Sequence, residues 1–175
     1  AAKDDAAPAD PLALALPGFR PAKAVVFAGV FPASADAYPQ LSAAVERLTA
    51  GGPLLVHFFE AGELSSVRSL ALVDRWARHY AAAGLTTLGV HSPRSDLART
   101  PAALAAALGR LGVSFPVCND DDYRVWHAYG CRGWPSLFLW AQGGRLTWFH
   151  LGIADLAGSE QAIREQLLAA EGDRQ

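Results

Sequence analysis

The stretch LLVHFFEAGELSSVRSL, residues 54–70, contains the change of pattern that decides the fold. Its first six residues are apolar except for His57, which is the composition of a buried strand. From Leu64 to Tyr80 apolar residues recur every three or four positions, and Gly84 follows them, which predicts a long amphipathic helix. The stretch therefore predicts a strand that passes through the short polar turn EAGE into a helix.

The composition indicates a folded domain without a nucleic-acid-binding or membrane-spanning part. Of the 175 residues, 51% are hydrophobic and 18% are charged, which is enough apolar surface for a core. The formal net charge of -2 comes without a basic stripe, so nucleic acid is not expected as a partner. The apolar runs are shorter than the roughly 20 residues that cross a bilayer, so no transmembrane segment is predicted.

The two ends of the chain differ in composition from its middle. Residues 1–21 are polar and rich in Ala and Pro, and they lack the basic and apolar regions of a signal peptide. We expect an extended lead-in over residues 1–21, one domain over residues 22–171 and a tail over residues 172–175. Two cysteines, and histidines without metal-ligand spacing, predict neither a metal site nor a cofactor.

Strands and helices alternate outward from the opening stretch. Thr100 is placed to cap the helix that begins at Pro101, and the acidic run at 119–122 is placed to cap the next one. The order predicts an α/β fold with parallel strands and an antiparallel hairpin at one side. The predicted elements are strands at 22–31, 53–59, 85–91 and 114–118, helices at 35–52, 64–83, 101–111, 123–130 and 158–170, and a hairpin turn at 142–144.

This order resembles the thioredoxin-like fold, a mixed central sheet flanked by helices, with the extra strand and helix of the TlpA-like branch. Over residues 53–168 the chain is similar to the TlpA-like and DipZ-like redoxins, grouped with the alkyl hydroperoxide reductase and thiol-specific antioxidant domains. Four stretches carry the resemblance. They are LLVHFFEAGELSSVRSL, RWARHYAAAGLTTLGVHSP, SFPVCNDDDYRVWHAYGCRGWPSLFLW and GGRLTWFHLG.

In the family that the chain resembles, a Cys-x-x-Cys opens the long helix. The resemblance places these two cysteine positions at Glu63 and Ser66, and it places His57 where a buried acid usually stands. Neither Glu63 nor Ser66 can replace a thiol. We expect Glu63 to cap the helix, Ser66 to be a polar helix-start residue and His57 to be bonded to backbone or water. A nucleophilic Ser66 would need an oriented base, and the sequence shows no contact with His57.

The resemblance also identifies Trp134-Pro135 as the family's cis-proline loop. It implies a cis peptide bond, and a loop that pairs with the backbone of a bound peptide. Phe59, Trp134, Pro135 and the EAGE turn are therefore the candidate lining of a peptide groove. The alternative, that Trp134 only packs the loop, stays open because aromatic residues dominate cores as well as interfaces.

Cys118 and Cys131 are the two thiols that are present. A disulfide needs Cα atoms about 4.4 to 6.8 Å apart, whereas a helix of about nine residues between the two would advance about 13 Å. We expect buried structural thiols, with the pKa of Cys131 lowered modestly by Arg132.

These features favour a thioredoxin-like domain without the catalytic Cys-x-x-Cys, acting as a non-enzymatic protein- or peptide-binding module or as a structural module. The alternative is an atypical thiol-disulfide oxidoreductase that uses Cys131, Cys118 or both. A peroxidase relative has less support, because the peroxidatic position also falls in the cysteine-free EAGELSS turn. The resemblance slightly favours an extracytoplasmic location, and the oligomeric state stays open.

Overall fold

A computed structural model of the chain describes residues 38–152 and 156–173. The predicted lead-in at 1–21 and strand at 22–31 lie outside these residues. Two short 3-10 helices, Ala81–Ala83 and Asp96–Ala98, accompany the main elements. These are, in chain order, α1 (Tyr38–Leu48), β1 (Leu54–Phe59), α2 (Leu64–Tyr80), β2 (Thr86–His91), α3 (Pro101–Leu111), β3 (Val117–Asn119), α4 (Arg124–Ala128), β4 (Ser136–Trp140), β5 (Leu146–Leu151) and α5 (Leu156–Gly172).

The strands form one mixed sheet in the order β3-β2-β1-β4-β5. β1 is parallel to β2 and β2 to β3, whereas β4 is antiparallel to both β1 and β5. The register sets Phe59 beside His91 and His91 beside Asn119, so the carboxyl ends of three strands meet at one edge of the sheet. The predicted mixed α/β architecture is confirmed.

β1 is buried on both faces, which explains its nearly continuous apolar sequence. Leu55 and Phe59 belong to a core cluster with residues of α2, α3 and α5. Phe58, on the opposite face, belongs to a second cluster that includes Val45 of α1 and Trp126 of α4. Helices therefore cover both faces of the sheet, and the edge where β1 ends is enclosed by them.

A close backbone approach precedes β1. A Cβ atom on Gly52 would lie 2.4 Å from the carbonyl oxygen of Gly84, and φ of Gly52 is 155°. Gly84 itself ends the α2 segment in the left-handed region, as predicted. Glycine at position 52 therefore lets the chain enter β1 directly beside the end of the α2 segment, which follows β1 in the sequence.

The predicted bounds of α1, β3 and α4 differ from those of the structure, and α1 ends at Leu48 rather than at residue 52. β3 begins at Val117 rather than residue 114, because Pro116 has no amide hydrogen and contributes only its carbonyl oxygen, which accepts from Gly89 N at 2.8 Å. α4 begins at Arg124 because Tyr123 adopts a positive φ of 61°, which is not helical. Within residues 38–152 and 156–173, no helix has the length and apolar character needed to cross a bilayer.

Candidate functional site

The turn between β1 and α2 is organised by the Glu63 carboxylate. It accepts hydrogen bonds from the amides of Ser65 and Ser66 at 2.9 and 2.6 Å, and it is the N-cap of α2. Desolvation alone would raise the pKa of Glu63, but these hydrogen bonds together lower that pKa below its ordinary value. The capping role predicted for Glu63 is confirmed.

Ser66 is fully buried beneath this turn. Its hydroxyl accepts a hydrogen bond from the amide of Glu60 at 3.1 Å, and its carbonyl accepts one from the hydroxyl of Ser69 at 2.9 Å. Ser66 therefore joins the end of β1 to the first turn of α2, and its hydroxyl serves as a structural acceptor.

His57 lies under α2 and is also fully buried. Its Nε2 is 2.9 Å from the hydroxyl of Ser69. Because the single hydroxyl hydrogen of Ser69 is donated to Ser66, Nε2 of His57 must be the donor, and the imidazole is the neutral Nε2–H tautomer. Burial lowers the pKa of His57 to about 3. The partner of Nε2 is a side chain of α2 rather than the backbone group that the prediction offered.

The Trp134-Pro135 peptide bond is cis. The Trp134 ring is half-buried between Trp126, with ring centroids 4.6 Å apart, and Arg94, whose guanidinium carbon lies 5.8 Å from the ring centroid. The Pro135 carbonyl accepts from the amide of Gly152 at 2.8 Å. Trp134 therefore packs the loop on one side, and its remaining surface meets an exposed arginine.

Phe59 lies in the core and not at the surface, where a residue that lines a peptide groove would lie. Its exposed fraction is 0%, and its ring packs between the rings of His57 and His91, with centroid distances of 5.6 and 5.4 Å. The prediction that Phe59 lines a peptide groove is wrong, because the strand that carries it is covered on both faces. Pro135 is also buried, so Trp134 presents the accessible surface of this loop.

Both cysteines are free thiols. Cys131 is buried as predicted, whereas Cys118 is exposed, because it lies on the three-residue edge strand β3. Burial raises the pKa of Cys131 to about 12. The expected lowering by Arg132 is wrong, since that side chain is exposed and its charge is solvated. Desolvation and the Asp120 carboxylate raise the pKa of Cys118. Neither thiol has the electropositive surroundings of a reactive cysteine.

The Asp120 carboxylate joins β2 to α4. It is 3% exposed and accepts from the amides of Val125 and Trp126 at 2.9 and 2.8 Å, and from the hydroxyl of Ser92 at 3.2 Å. The sequence predicted that the acidic run at 119–122 caps this helix, and Asp120 does so together with Asp122, which accepts from the amide of Arg124 at 3.2 Å.

Sequence reasoning missed a polar cluster at the carboxyl ends of β1 and β2. Glu60 and His91, both buried, line a cavity of about 280 Å³ together with Arg110 of α3. The sequence signal that could have identified Glu60 and His91 was their position. Glu60 directly follows β1 and His91 is the last residue of β2, so both lie at the same edge of the sheet. No group of three or more His, Cys, Asp or Glu in the described part of the chain could hold a metal ion.

No family model matches the chain. Protein DipZ of Mycobacterium tuberculosis is 28% identical over 117 residues, which cover 67% of this chain and 17% of DipZ. A thioredoxin-like protein solved in its oxidised form is 21% identical and matches 71% of this chain and 84% of its own, with a TM-score of 0.65. A secreted disulfide oxidoreductase of the same mycobacterium, homologous to DsbE, is 18% identical over 69% of this chain and 84% of its own, with a TM-score of 0.55.

The chain has a thioredoxin-like fold, and its sequence is similar to part of DipZ. It spans only 17% of the length of DipZ. The solved structures that share this fold include a thiol:disulfide interchange protein from Chlorobium tepidum, which is 17% identical with a TM-score of 0.57. The sequence of this chain contains no Cys-x-x-Cys.

Proposed function

We propose that this domain is a non-enzymatic module that binds an extended peptide or a protein segment at the Trp134-Pro135 face. The turn that opens α2 is the observation that carries the proposal. The resemblance assigns the two cysteine positions to Glu63 and Ser66, and in this chain these residues cap α2 and accept the Glu60 amide. These two residues stabilise the start of α2, at the positions where a Cys-x-x-Cys would supply a nucleophilic thiol.

The properties of the two thiols support a non-enzymatic role. A thiol attacks a disulfide as the thiolate, and raised pKa values keep both Cys131 and Cys118 protonated at neutral pH. The placement of the two thiols also supports a non-enzymatic role, because Cys131 is buried in the core and Cys118 lies on the edge strand β3.

The surface of Trp134 supports the binding role. A half-buried indole beside an exposed guanidinium combines apolar contact area with a charged hydrogen-bond donor, a composition that is enriched at interaction surfaces. Packing against Trp126 fixes the ring, so a partner would meet it with little loss of side-chain entropy.

A disulfide reductase assay tests the non-enzymatic role. We expect the purified protein to reduce insulin in the presence of dithiothreitol no faster than buffer does. Catalysis that is lost in a Cys118→Ser/Cys131→Ser double variant would overturn the proposal and establish the alternative, an atypical thiol-disulfide oxidoreductase. Catalysis that persists in the double variant would exclude both.

A peptide array tests the binding role. Peptides captured by the wild-type domain should lose at least fivefold in affinity for Trp134→Ala, while Leu168→Ala, an exposed apolar truncation on α5, serves as the matched control and should bind unchanged. An equal loss in both variants, or no capture at all, would contradict a peptide site at this face.

An extracytoplasmic location is part of the same proposal. Its support is the likeness to the mycobacterial oxidoreductase that is described as secreted. Fractionation of the source cells with an antibody against this domain tests it, and recovery in the cytoplasmic fraction alone would contradict it.

A further inference from the structure

The cavity of about 280 Å³ lies where β1 and β2 end, enclosed by the EAGE turn, the 3-10 helix Asp96–Ala98 and α3. The carboxyl ends of neighbouring parallel strands form the crevice in which α/β proteins bind small ligands. This cavity differs from the Trp134 face, since none of its lining residues belongs to the Trp134-Pro135 loop.

His91 lines this cavity and carries an unpaired hydrogen-bond acceptor. Its Nδ1 lies 3.1 Å from Oδ1 of Asn119, whose amide nitrogen donates to the carbonyl of Arg99 at 2.7 Å. That second hydrogen bond fixes the Asn119 oxygen toward His91, so Nδ1 carries the hydrogen and Nε2 carries the lone pair. Nε2 is buried and has no hydrogen-bond partner among the described residues. A buried acceptor of this kind is normally satisfied in proteins.

Glu60 presents a second acceptor. It is 6% exposed, and its Oε2 accepts from the amide of Gly62 at 2.9 Å. A carboxylate offers about four lone-pair sites, so one backbone hydrogen bond leaves capacity for a further donor. Glu60 and His91, which are buried and both line the cavity, thus carry two acceptors with unused capacity, a pair suited to a ligand group that only donates.

The remainder of the cavity is largely aliphatic. Arg110 is exposed on α3, so water screens its charge more than it screens the buried carboxylate of Glu60. Ser95 adds a hydroxyl at an exposed position. The apolar lining residues are Ala61, Leu97, Ala98, Ala103, Leu104 and Ala107.

We propose that this cavity binds a primary ammonium group on a short aliphatic chain, with the ammonium donating to the Glu60 carboxylate and to Nε2 of His91. An alkylammonium has three donors and no acceptor, which matches the two acceptors, and its methylene chain matches the aliphatic walls. The same chemistry is presented by a free alkylamine and by a lysine side chain. The inference does not depend on peptide binding at Trp134.

The test follows the imidazole nitrogens of His91 by NMR of the ¹⁵N-histidine-labelled protein. Titration with n-butylammonium should shift the Nε2 resonance saturably, while the isosteric neutral n-butanol should not. Glu60→Gln should weaken the butylammonium affinity at least fivefold. Glu63→Gln, the same change three residues away at the helix cap, should leave it unchanged.

A second variant keeps the test decisive if Glu60→Gln does not fold. Ala107→Leu fills the cavity from α3 without touching either acceptor, and it should abolish the Nε2 shift. Equal shifts with butanol and butylammonium, or binding that survives Ala107→Leu, would overturn the proposal. Nα-acetyl-lysine methylamide distinguishes the sources, since binding at least as tight as that of butylammonium indicates a lysine side chain, and weaker binding indicates a free amine.

Discussion

Nε2 of His57 donates a hydrogen bond to the hydroxyl of Ser69 across 2.9 Å, which ties the central strand β1 to α2. Ser69 in turn donates to the carbonyl of Ser66, so the chain of donors runs in one direction from the sheet into the helix. Burial, which lowers the pKa of His57 to about 3, keeps this imidazole neutral near pH 7. A second proton on His57 would place an uncompensated charge in the core.

We therefore expect the protein to lose stability as the pH falls. In the unfolded chain His57 titrates near 6.5, whereas in the folded protein its pKa is about 3. Between these values the unfolded state binds the additional proton, so the free energy of unfolding decreases by up to about 1.4 kcal/mol per pH unit. Urea unfolding at pH 7.5, 6, 5 and 4 measures this slope.

His57→Gln is the matched variant for this prediction. It removes the titrating group, and its amide nitrogen corresponds in position to Nε2 of histidine, so it can donate to Ser69. Its free energy of unfolding should depend less steeply on pH between 6.5 and 5 than that of the wild type. Parallel curves for the two proteins would show that other groups cause the acid sensitivity.

Asp120→Ala should destabilise the protein by about 2 to 3 kcal/mol. The substitution removes the cap of α4 and leaves the amides of Val125 and Trp126 without their acceptor. Asp121→Ala, at an exposed neighbouring position, is the control and should change the free energy of unfolding by less than about 0.5 kcal/mol. Comparable losses in chemical denaturation of the two variants would argue against the assigned role of Asp120.

Gly89→Ala should destabilise the protein by about 1 to 3 kcal/mol, because its new Cβ would lie 2.9 Å from Val117, 3.0 Å from Phe115 and 3.1 Å from Phe59. Gly109→Ala on α3 meets nothing within 4 Å and should instead stabilise the protein by up to about 1 kcal/mol. Thermal unfolding of both variants measures the contrast, and melting temperatures that move in the same direction would refute it.

The two cysteines should differ in accessibility. Cys118 is exposed and should react slowly with iodoacetamide in the native protein, whereas Cys131 should react only after unfolding. Intact mass after alkylation, with and without guanidinium, counts the modified thiols. A native protein that gains two adducts, or that forms a disulfide under glutathione, would contradict this assignment.

The regular elements were predictable because local sequence and packing agree there. The apolar run of β1 requires cover on both faces, and the helices packed on the two faces of the sheet provide it. Thr100 caps α3 through the amide of Ala103, and Gly112 ends that helix in the left-handed region, as the sequence indicated. Such signals are local, and they depend on backbone groups that every helix leaves unsatisfied.

The site was less predictable because its properties depend on residues that are distant in sequence. The resemblance placed Phe59 in a peptide groove, but helices pack on both faces of the sheet and bury its side chain. Cys118 lies in an apolar context but is exposed because its strand is at an edge. The pairing of Glu60 with His91 in one cavity follows from the parallel register, which no single segment encodes.

The arrangement of Glu63 and Ser66 has a consequence for evolution. Replacing Glu63 by Cys would remove a helix cap, which costs about 0.5 to 2 kcal/mol. Replacing Ser66 by Cys would weaken the acceptor of the Glu60 amide, since sulfur is a poor acceptor. Each single change toward a Cys-x-x-Cys at these two positions lowers stability before any redox activity is gained. Selection for a folded chain therefore favours the present turn over either single cysteine substitution.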